Sequence, residues 1–235
     1  MAHVVVAGLP PGTDFQPSAD GFHFANYYPH EPALVIELPF GKTLPIGDAA
    51  NGLCGGMAYT VADFYEAKRA IPPDTDPPPP DSPLYKYIVQ RLLDSFNLPV
   101  GVGRYLELMQ PIFPDAGLRF GLPGRASVMV RDEWPLIQGQ LDAGHPVPLG
   151  LIKIKSDEPE DLGKNHQVLA YGYDLTGMDL TIWLYDPDYP DNDSVNMQLS
   201  IASTSVPVPV TYSQPNESVY CFFHTSYIPT QPPTD

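Results

Sequence analysis

The residue with the clearest chemical potential is Cys54, which lies in a glycine-rich segment at positions 51–57 (NGLCGGM). An amphipathic pattern starts at this cysteine, because apolar residues recur at steps of three and four between Met57 and Tyr65. A thiol at the N-terminus of a helix lies at the positive end of the helix dipole, which favours the nucleophilic thiolate form. We therefore interpret Cys54 as a candidate nucleophile, and a buried cysteine in a tight turn stays open as the alternative.

A thiol nucleophile needs a nearby base, and the chain has six histidines. His166 opens an apolar, strand-like run at residues 167–173, directly after a polar loop. A strand would hold this imidazole and leave it exposed at the strand's end, as a general base requires. His166 is therefore the predicted base. The other five lie in the irregular N-terminal segment, before a proline in a loop, or near the end of a strand: His3, His23, His30, His145 and His224.

The base also needs an orienting carboxylate, and hairpin geometry selects Asp186. If residues 175–178 form the turn between two antiparallel strands, paired positions have numbers that sum to about 353. His166 then faces position 187, so Asp186 is one residue away across the ladder, with Asp188 next if the register slips. Asp174 lies at the far end of the hairpin, about 25 Å away at about 3.3 Å per residue. The sequence thus predicts that Asp186 orients the imidazole.

Helices in the first part of the chain and strands in the second must position these residues. The apolar periodicity predicts helices over 54–70, 84–96, 104–109 and 132–143. Strands are predicted over 33–38, 147–154, 167–173, 180–185, 195–201 and 218–224. Helices followed by a mostly antiparallel sheet are typical of the α+β class.

The chain reads as one domain over residues 1–235, because no linker separates two self-sufficient halves. An irregular N-terminal wrap is predicted over 1–45, a helical part over 46–143, the sheet over 144–228 and a tail over 229–235. The proline-rich run at 74–83 is predicted to be a stiff connector between the first two helices.

Composition excludes several classes of partner. A net charge of −16 with only 12 Lys and Arg leaves no basic patch for nucleic acid or for an anionic membrane. No stretch approaches the roughly 20 apolar residues that span a bilayer, and the N-terminus lacks the features of a secretory signal. We therefore expect a cytoplasmic location by default.

No metal or other cofactor is expected. Cys221 and His224 fall on opposite faces of a predicted strand, so they do not form a zinc site. The acidic run after Asp186 has a calcium-loop composition, but Pro187 and Pro190 disrupt the pattern that such a loop needs. With only two cysteines in sharply different contexts, we also expect free thiols.

Three segments together resemble the papain-like cysteine peptidase superfamily, with a closer similarity to the double-glycine leader peptidase branch and its uncharacterised relatives. They are GLCGGM at 52–57 before a helix, HQVLAYGYD at 166–174 and LYDP at 184–187. The segment LDAGHPVPL at 141–149 also looks like the entry into that family's sheet. The resemblance covers about residues 45 to 190. It implies a papain-like fold with Cys54 as nucleophile, His166 as base and then acid, and Asp186 as the residue that orients the base.

The sequence departs from the family at the oxyanion site. The superfamily usually has Gln six residues before the cysteine, and here Asp48 occupies that position. An ionised carboxylate would repel a developing negative charge, so it cannot replace the amide. Asn51 is the nearest amide and our candidate donor beside the Cys54 backbone N–H, with a plain turn residue as the alternative.

The resulting hypothesis is a thiol hydrolase, most simply a cysteine peptidase that acts on a peptide or protein through an acyl-enzyme. A deamidase or acyl transferase with the same triad is one alternative. A catalytically silent binding or structural module that keeps the fold is the other.

Overall fold

The computed structural model of the chain describes residues 11–28, 34–37, 41, 43–46, 52–97, 100–119 and 122–234. Within these residues, helices dominate up to position 142 and strands dominate afterwards, so the predicted α+β class is confirmed. A π-helical turn, Val128–Glu133, joins the fifth helix to the sixth. The helices are α1 Pro17–Asp20, α2 Cys54–Glu66, α3 Pro83–Phe96, α4 Val100–Met109, α5 Arg125–Ser127 and α6 Trp134–Asp142.

The main sheet has six strands, and every neighbouring pair in it is antiparallel. Its strands are β5 Val147–Ile152, β6 His166–Thr176, β7 Asp179–Tyr185, β8 Asn196–Ser200, β9 Thr211–Tyr212 and β10 Cys221–His224. Their order is β10-β5-β6-β7-β8-β9, so the last strand returns to pair with β5. Two smaller antiparallel pairs are β1 Leu34–Glu37 with β2 Thr43–Ile46, and β3 Leu118–Arg119 with β4 Leu122–Pro123. The short strand β9 is one that the sequence analysis did not predict.

The hairpin of β6 and β7 departs from the predicted register, because paired positions have numbers that sum to 355 next to the turn and to 354 beyond a bulge, instead of about 353. Thr176 pairs with Asp179, so the turn centres on residues 177 and 178, and a bulge lies between Ala170 and Gly172. Beyond the bulge, Leu169 pairs with Tyr185, and the same register carried on sets position 188 opposite position 166. The expected partner, position 187, was therefore wrong. Asp186 is two positions from position 188, and residues two positions apart lie on the same face of a sheet. The observed register therefore sets Asp186 on the same face as His166.

The N-terminal segment packs against the sheet where the bulge lies. Thr13 donates its backbone N–H to Tyr171 O at 3.0 Å, and Tyr173 donates to Pro11 O at 2.9 Å. Aromatic side chains of this segment are buried in the core: Phe15, Phe22, Phe24 and Tyr28. The segment is largely irregular, as expected, but it belongs to the core.

Helix α2 is buried along most of its length, between α3 and the sheet. Its two glycines permit that position. A Cβ on Gly56 would lie 2.1 Å from the carbonyl oxygen of Ile88 in α3, and a Cβ on Gly55 would lie 2.5 Å from Ser95 Oγ. The glycine pair that follows Cys54 therefore permits the close packing of the helix that carries it.

Replacement of Gly56 by Ala is expected to destabilise the fold by about 1–3 kcal/mol, because the new methyl group overlaps a backbone atom of α3. Gly139 in α6 is the matched control, since a Cβ built there has no described atom within 4 Å apart from its chain neighbours and the backbone of its own helix. Ala at 139 should be neutral or stabilise by up to about 1 kcal/mol through helix propensity. Urea unfolding of both variants measures the difference, and equal effects would contradict this packing.

Among the described residues, no helix combines the length and the apolar character that a membrane crossing needs.

Candidate functional site

Cys54 is the first residue of α2, as the sequence predicted, although the helix ends at Glu66 rather than at residue 70. The thiol is partly buried, and both cysteines are free, as expected. The first N–H groups of any helix have no acceptor within the helix, so they are available to an anion at its start. The start of α2 can therefore stabilise a negatively charged oxygen beside Cys54.

His166 is the first residue of β6, and its ring contacts the predicted carboxylate. Nε2 of His166 lies 2.7 Å from Oδ1 of Asp186. Asp186 follows the end of β7, and Asp174 instead accepts a hydrogen bond from Trp183 Nε1 at the other end of the hairpin. The structure thus brings together the two residues that the hairpin argument selected.

The exposure predicted for His166 was wrong, because only 5% of the residue is accessible. Its strand begins inside the sheet, where Leu151 of β5 pairs with it. With Nε2 bonded to Asp186, Nδ1 is the ring nitrogen left for a nucleophile. A substrate can therefore use this base only if it enters on the Nδ1 side.

Asp186 is 2% exposed and has two further hydrogen-bond donors. Its Oδ1 accepts from the backbone N–H of Asp188 at 2.9 Å, and its Oδ2 accepts from the Tyr212 hydroxyl. Tyr212 lies on β9, 26 positions away in the chain, and no local pattern in the sequence indicated this contact. The carboxylate is thus fully satisfied and held in one orientation, as an orienting residue must be.

Charge interactions hold the pair in its ionised form. Burial by itself opposes a charge on His166, but the carboxylates of Asp186 and Asp188 and the charge of Cys54 outweigh it, so the pKa of His166 lies well above its ordinary value. Burial likewise opposes the charge of Asp186, but the charge and hydrogen bond of His166 outweigh it and lower the pKa of this carboxyl. The site therefore favours an imidazolium ion next to a carboxylate.

Stability is expected to depend on pH through this pair. The contribution of His166 is complete below its unfolded pKa of about 6.5 and is lost as pH rises through its higher folded pKa. The contribution of Asp186 is complete above about pH 3.9 and is lost as pH falls through its lower folded pKa. The melting temperature should therefore peak between about pH 4 and 6.5, and Asp186→Asn should flatten its decline on the alkaline side. Calorimetry measures the melting temperature of this variant as a function of pH. If the melting temperature declines at alkaline pH as it does in the wild type, the result would count against the ionised pair.

Cys54 lies within the range of charge interaction of the base, because its charge contributes to the raised pKa of His166. Burial and the charge of Cys54 also raise the pKa of Tyr105. The Tyr105 hydroxyl donates a hydrogen bond to the carbonyl oxygen of His166 at 3.4 Å. The three predicted residues are therefore gathered in one region. The oxyanion candidate Asn51 and the atypical Asp48 both lie outside the described residues.

His166, Asp186 and Asp188 are also the group in the described residues whose geometry could accommodate a metal ion. One atom from each, including Nε2 of the histidine, lies within 4.8 Å of the others. Nε2 is 2.7 Å from Asp186 and 3.6 Å from Asp188, and the first of these is a hydrogen-bond distance. A cation would have to displace the proton shared there, so this geometry does not identify the residues as metal ligands.

The acidic run that resembled a calcium loop is bound by the N-terminal segment. Asp193 accepts hydrogen bonds from the backbone N–H and the hydroxyl of Ser18, at 2.8 and 2.7 Å. Asp191 lies 2.6 Å from Nδ1 of His23, and Asp188 accepts from Asn26 Nδ2 at 3.0 Å. These carboxylates therefore already have protein partners.

The remaining sulfur and imidazole groups lie elsewhere. Burial raises the pKa of Cys221 to about 12, which leaves it an unreactive thiol. His145 pairs with Glu66, and His224 pairs with Glu133. His3 and His30 lie outside the described residues.

Comparisons with protein-family models, with curated proteins and with solved structures find no match to this chain.

Proposed function

We propose that this chain is a thiol hydrolase, most simply a cysteine peptidase, with Cys54 as nucleophile, His166 as base and acid, and Asp186 as the orienting residue. The observation that carries the proposal is the buried contact of 2.7 Å between His166 Nε2 and Asp186 Oδ1, with Cys54 within the range of charge interaction. A fixed carboxylate behind an imidazole and a thiol in front of it are the elements of nucleophilic catalysis.

The chemistry follows from these positions. The Cys54 thiolate attacks the carbonyl carbon of a peptide, and the helix N-terminus faces the negative charge that develops on the oxygen. The imidazolium of His166 gives its proton to the leaving amine, the C–N bond breaks, and a thioester remains on Cys54. His166 then removes a proton from water, which attacks the thioester, releases the carboxylic acid and restores the thiol. Asp186 stabilises the imidazolium in each step in which His166 is protonated.

The proposal includes a papain-like arrangement. Its support is the order of the parts: a cysteine that opens a buried helix, a histidine that opens a sheet strand and an aspartate that follows the next strand. We place the Cys54 backbone N–H in the oxyanion site, with Asn51 as the candidate second donor. The substrate we propose is a peptide or protein.

Labelling with iodoacetamide at about pH 6 tests the nucleophile, since an ordinary thiol is almost entirely protonated there. We expect Cys54 to react at least about tenfold faster than a free model thiol. Cys221 is the internal control and should remain unlabelled in the folded protein. Reaction of Cys54 at the rate of the model thiol would remove the basis for catalysis.

The product separates the hydrolase classes. Cleavage of unstructured proteins that is lost in Cys54→Ser supports the peptidase. Release of ammonia from protein glutamines without backbone cleavage would instead indicate the deamidase alternative on the same triad.

A binding module without chemistry is the second candidate, and the burial of His166 favours it. An imidazole that is 5% exposed and bonded to a buried carboxylate also fits a purely structural pair. If Cys54 in a correctly folded protein is labelled no faster than a free model thiol, the result would favour this function.

A further inference from the structure

Asn26, in the N-terminal segment, lies between the two parts of the proposed site. Its Oδ1 accepts the backbone N–H of Leu53 at 2.6 Å, directly before the nucleophile. Its Nδ2 donates to Asp188 Oδ1 at 3.0 Å, and its backbone N–H donates to Pro187 O at 2.8 Å. One residue is thus bonded to the start of α2 and to the turn that follows Asp186.

The fit of this amide is close. Gly52 has a φ of +40°, and a Cβ on it would lie 2.3 Å from Nδ2 of Asn26. Glycine adopts this backbone conformation with little strain, and its missing side chain leaves the space that the amide fills. The segment before the nucleophile is therefore shaped around the carboxamide of Asn26.

Both residues that bond to the side-chain amide of Asn26 lie next to the proposed catalytic groups. Leu53 is the N-cap residue of α2, so a hydrogen bond to its N–H fixes where Cys54 begins the helix. Asp188 is the second carboxylate near the base, with Oδ2 at 3.6 Å from His166 Nε2. One side chain from a third part of the chain thus bonds both to the residue before the nucleophile and to a carboxylate near the base.

We propose that Asn26 is a positioning residue of the site, which holds the start of α2 and the turn at 186–188 in the relative position that sets Cys54 against His166. This inference rests on the proposed thiol chemistry. A displacement of about 1 Å between reacting groups can cost about 100-fold in rate, so a residue with this role should affect reactivity strongly.

The same segment has other bonds to the acidic run, which keep it in place when Asn26 is changed. Ser18 binds Asp193 and His23 binds Asp191, and neither contact touches α2. Ser18→Ala is therefore a matched control: it removes a hydrogen bond between the same two segments but leaves both bonds of the Asn26 amide.

The test is the rate of Cys54 alkylation by iodoacetamide across about pH 5 to 9, with the melting temperature of each variant. Asn26→Ala should slow alkylation at about pH 6 by about tenfold or more and move the acid side of the profile to higher pH. Ser18→Ala should keep the wild-type profile. A purely structural Asn26 would lower the melting temperature and leave the profile unchanged, which would overturn the inference.

A second variant guards against misfolding of the first. Asn26→Asp has the same size and keeps the acceptor for Leu53, but it loses the donor to Asp188 and places two carboxylates together. We expect slower alkylation in a folded protein, and a wild-type profile here would also overturn the inference. Failure of the wild-type protein itself to react faster than a model thiol would instead overturn the proposed function.

Discussion

His166→Ala is expected to slow the alkylation of Cys54 at about pH 6 by roughly two orders of magnitude. Without the imidazolium, Cys54 should behave as an ordinary thiol, of which only about 0.3% is thiolate at this pH. The buried contact with Asp186 and the charges around the ring keep His166 protonated, so wild-type Cys54 should have an imidazolium partner under the same conditions. Mass-spectrometric labelling rates give the ratio directly.

His145→Ala is the control for this experiment. The His145 side chain is 57% exposed and pairs with Glu66, at the other end of α2 from Cys54. Its replacement should leave the labelling rate within about twofold of wild type. A His166→Ala variant that is folded and labelled at the wild-type rate would show that the two residues are not coupled.

Asp63→Ala is expected to destabilise the protein by about 3–5 kcal/mol, because it leaves a buried guanidinium without its main counter-charge. Asp63 in α2 is fully buried, and its Oδ2 lies 2.7 Å from Nε of Arg91, which is 3% exposed. The same carboxylate binds the C-terminal segment through the hydroxyl of Tyr227 at 2.8 Å and the N–H of Thr230 at 2.9 Å. Its loss therefore also removes hydrogen bonds between α2 and the C-terminal segment.

Asp94→Ala is the matched control, since Asp94 binds the same Arg91 at 2.8 Å but is 39% exposed. An exposed ion pair contributes at most about 1 kcal/mol. Urea unfolding at neutral pH compares the two variants. Equal losses of stability would contradict the view that the buried network, rather than the ion pair alone, holds the C-terminal segment against α2.

Much of the fold could be predicted because it follows from local periodicity. The spacing of apolar residues predicts the helix that starts at Cys54 and the strand that starts at His166. Glycine and proline residues mark where such elements begin and end. Strand β9 was missed because two paired residues, Thr211 and Tyr212, leave no alternation to detect.

The contact between His166 and Asp186 could be predicted because a hairpin brings only one of the two nearby aspartates next to the histidine. His166 and Asp186 are 20 positions apart, and antiparallel pairing alone separates Asp186 from Asp174. The register was wrong because the turn lies at Gly177 and Met178, one position later than expected, and because the bulge near Ala170, where the N-terminal segment pairs with the sheet, shifts it again. Pairing between remote parts of the chain has no local signature.

The residues that hold the site were missed for the same reason. Tyr212 reaches Asp186 from a strand that pairs later in the sheet, and Asn26 reaches Leu53 from a segment without regular structure. Both are single polar side chains whose partners are set by tertiary packing. Sequence spacing identified the proposed reacting groups, and the packing of the chain supplies the side chains that contact them.

The most direct test of the account is a thiolate titration of Cys54, followed by ultraviolet absorbance in a Cys221→Ala variant from about pH 4 to 10. We predict that thiolate absorbance from Cys54 is already present at about pH 6 and that His166→Ala removes it at that pH. Absorbance that appears only near pH 8.5, where a free thiol ionises, and that is unaffected by His166→Ala, would contradict the claim that Cys54 and His166 form a catalytic pair.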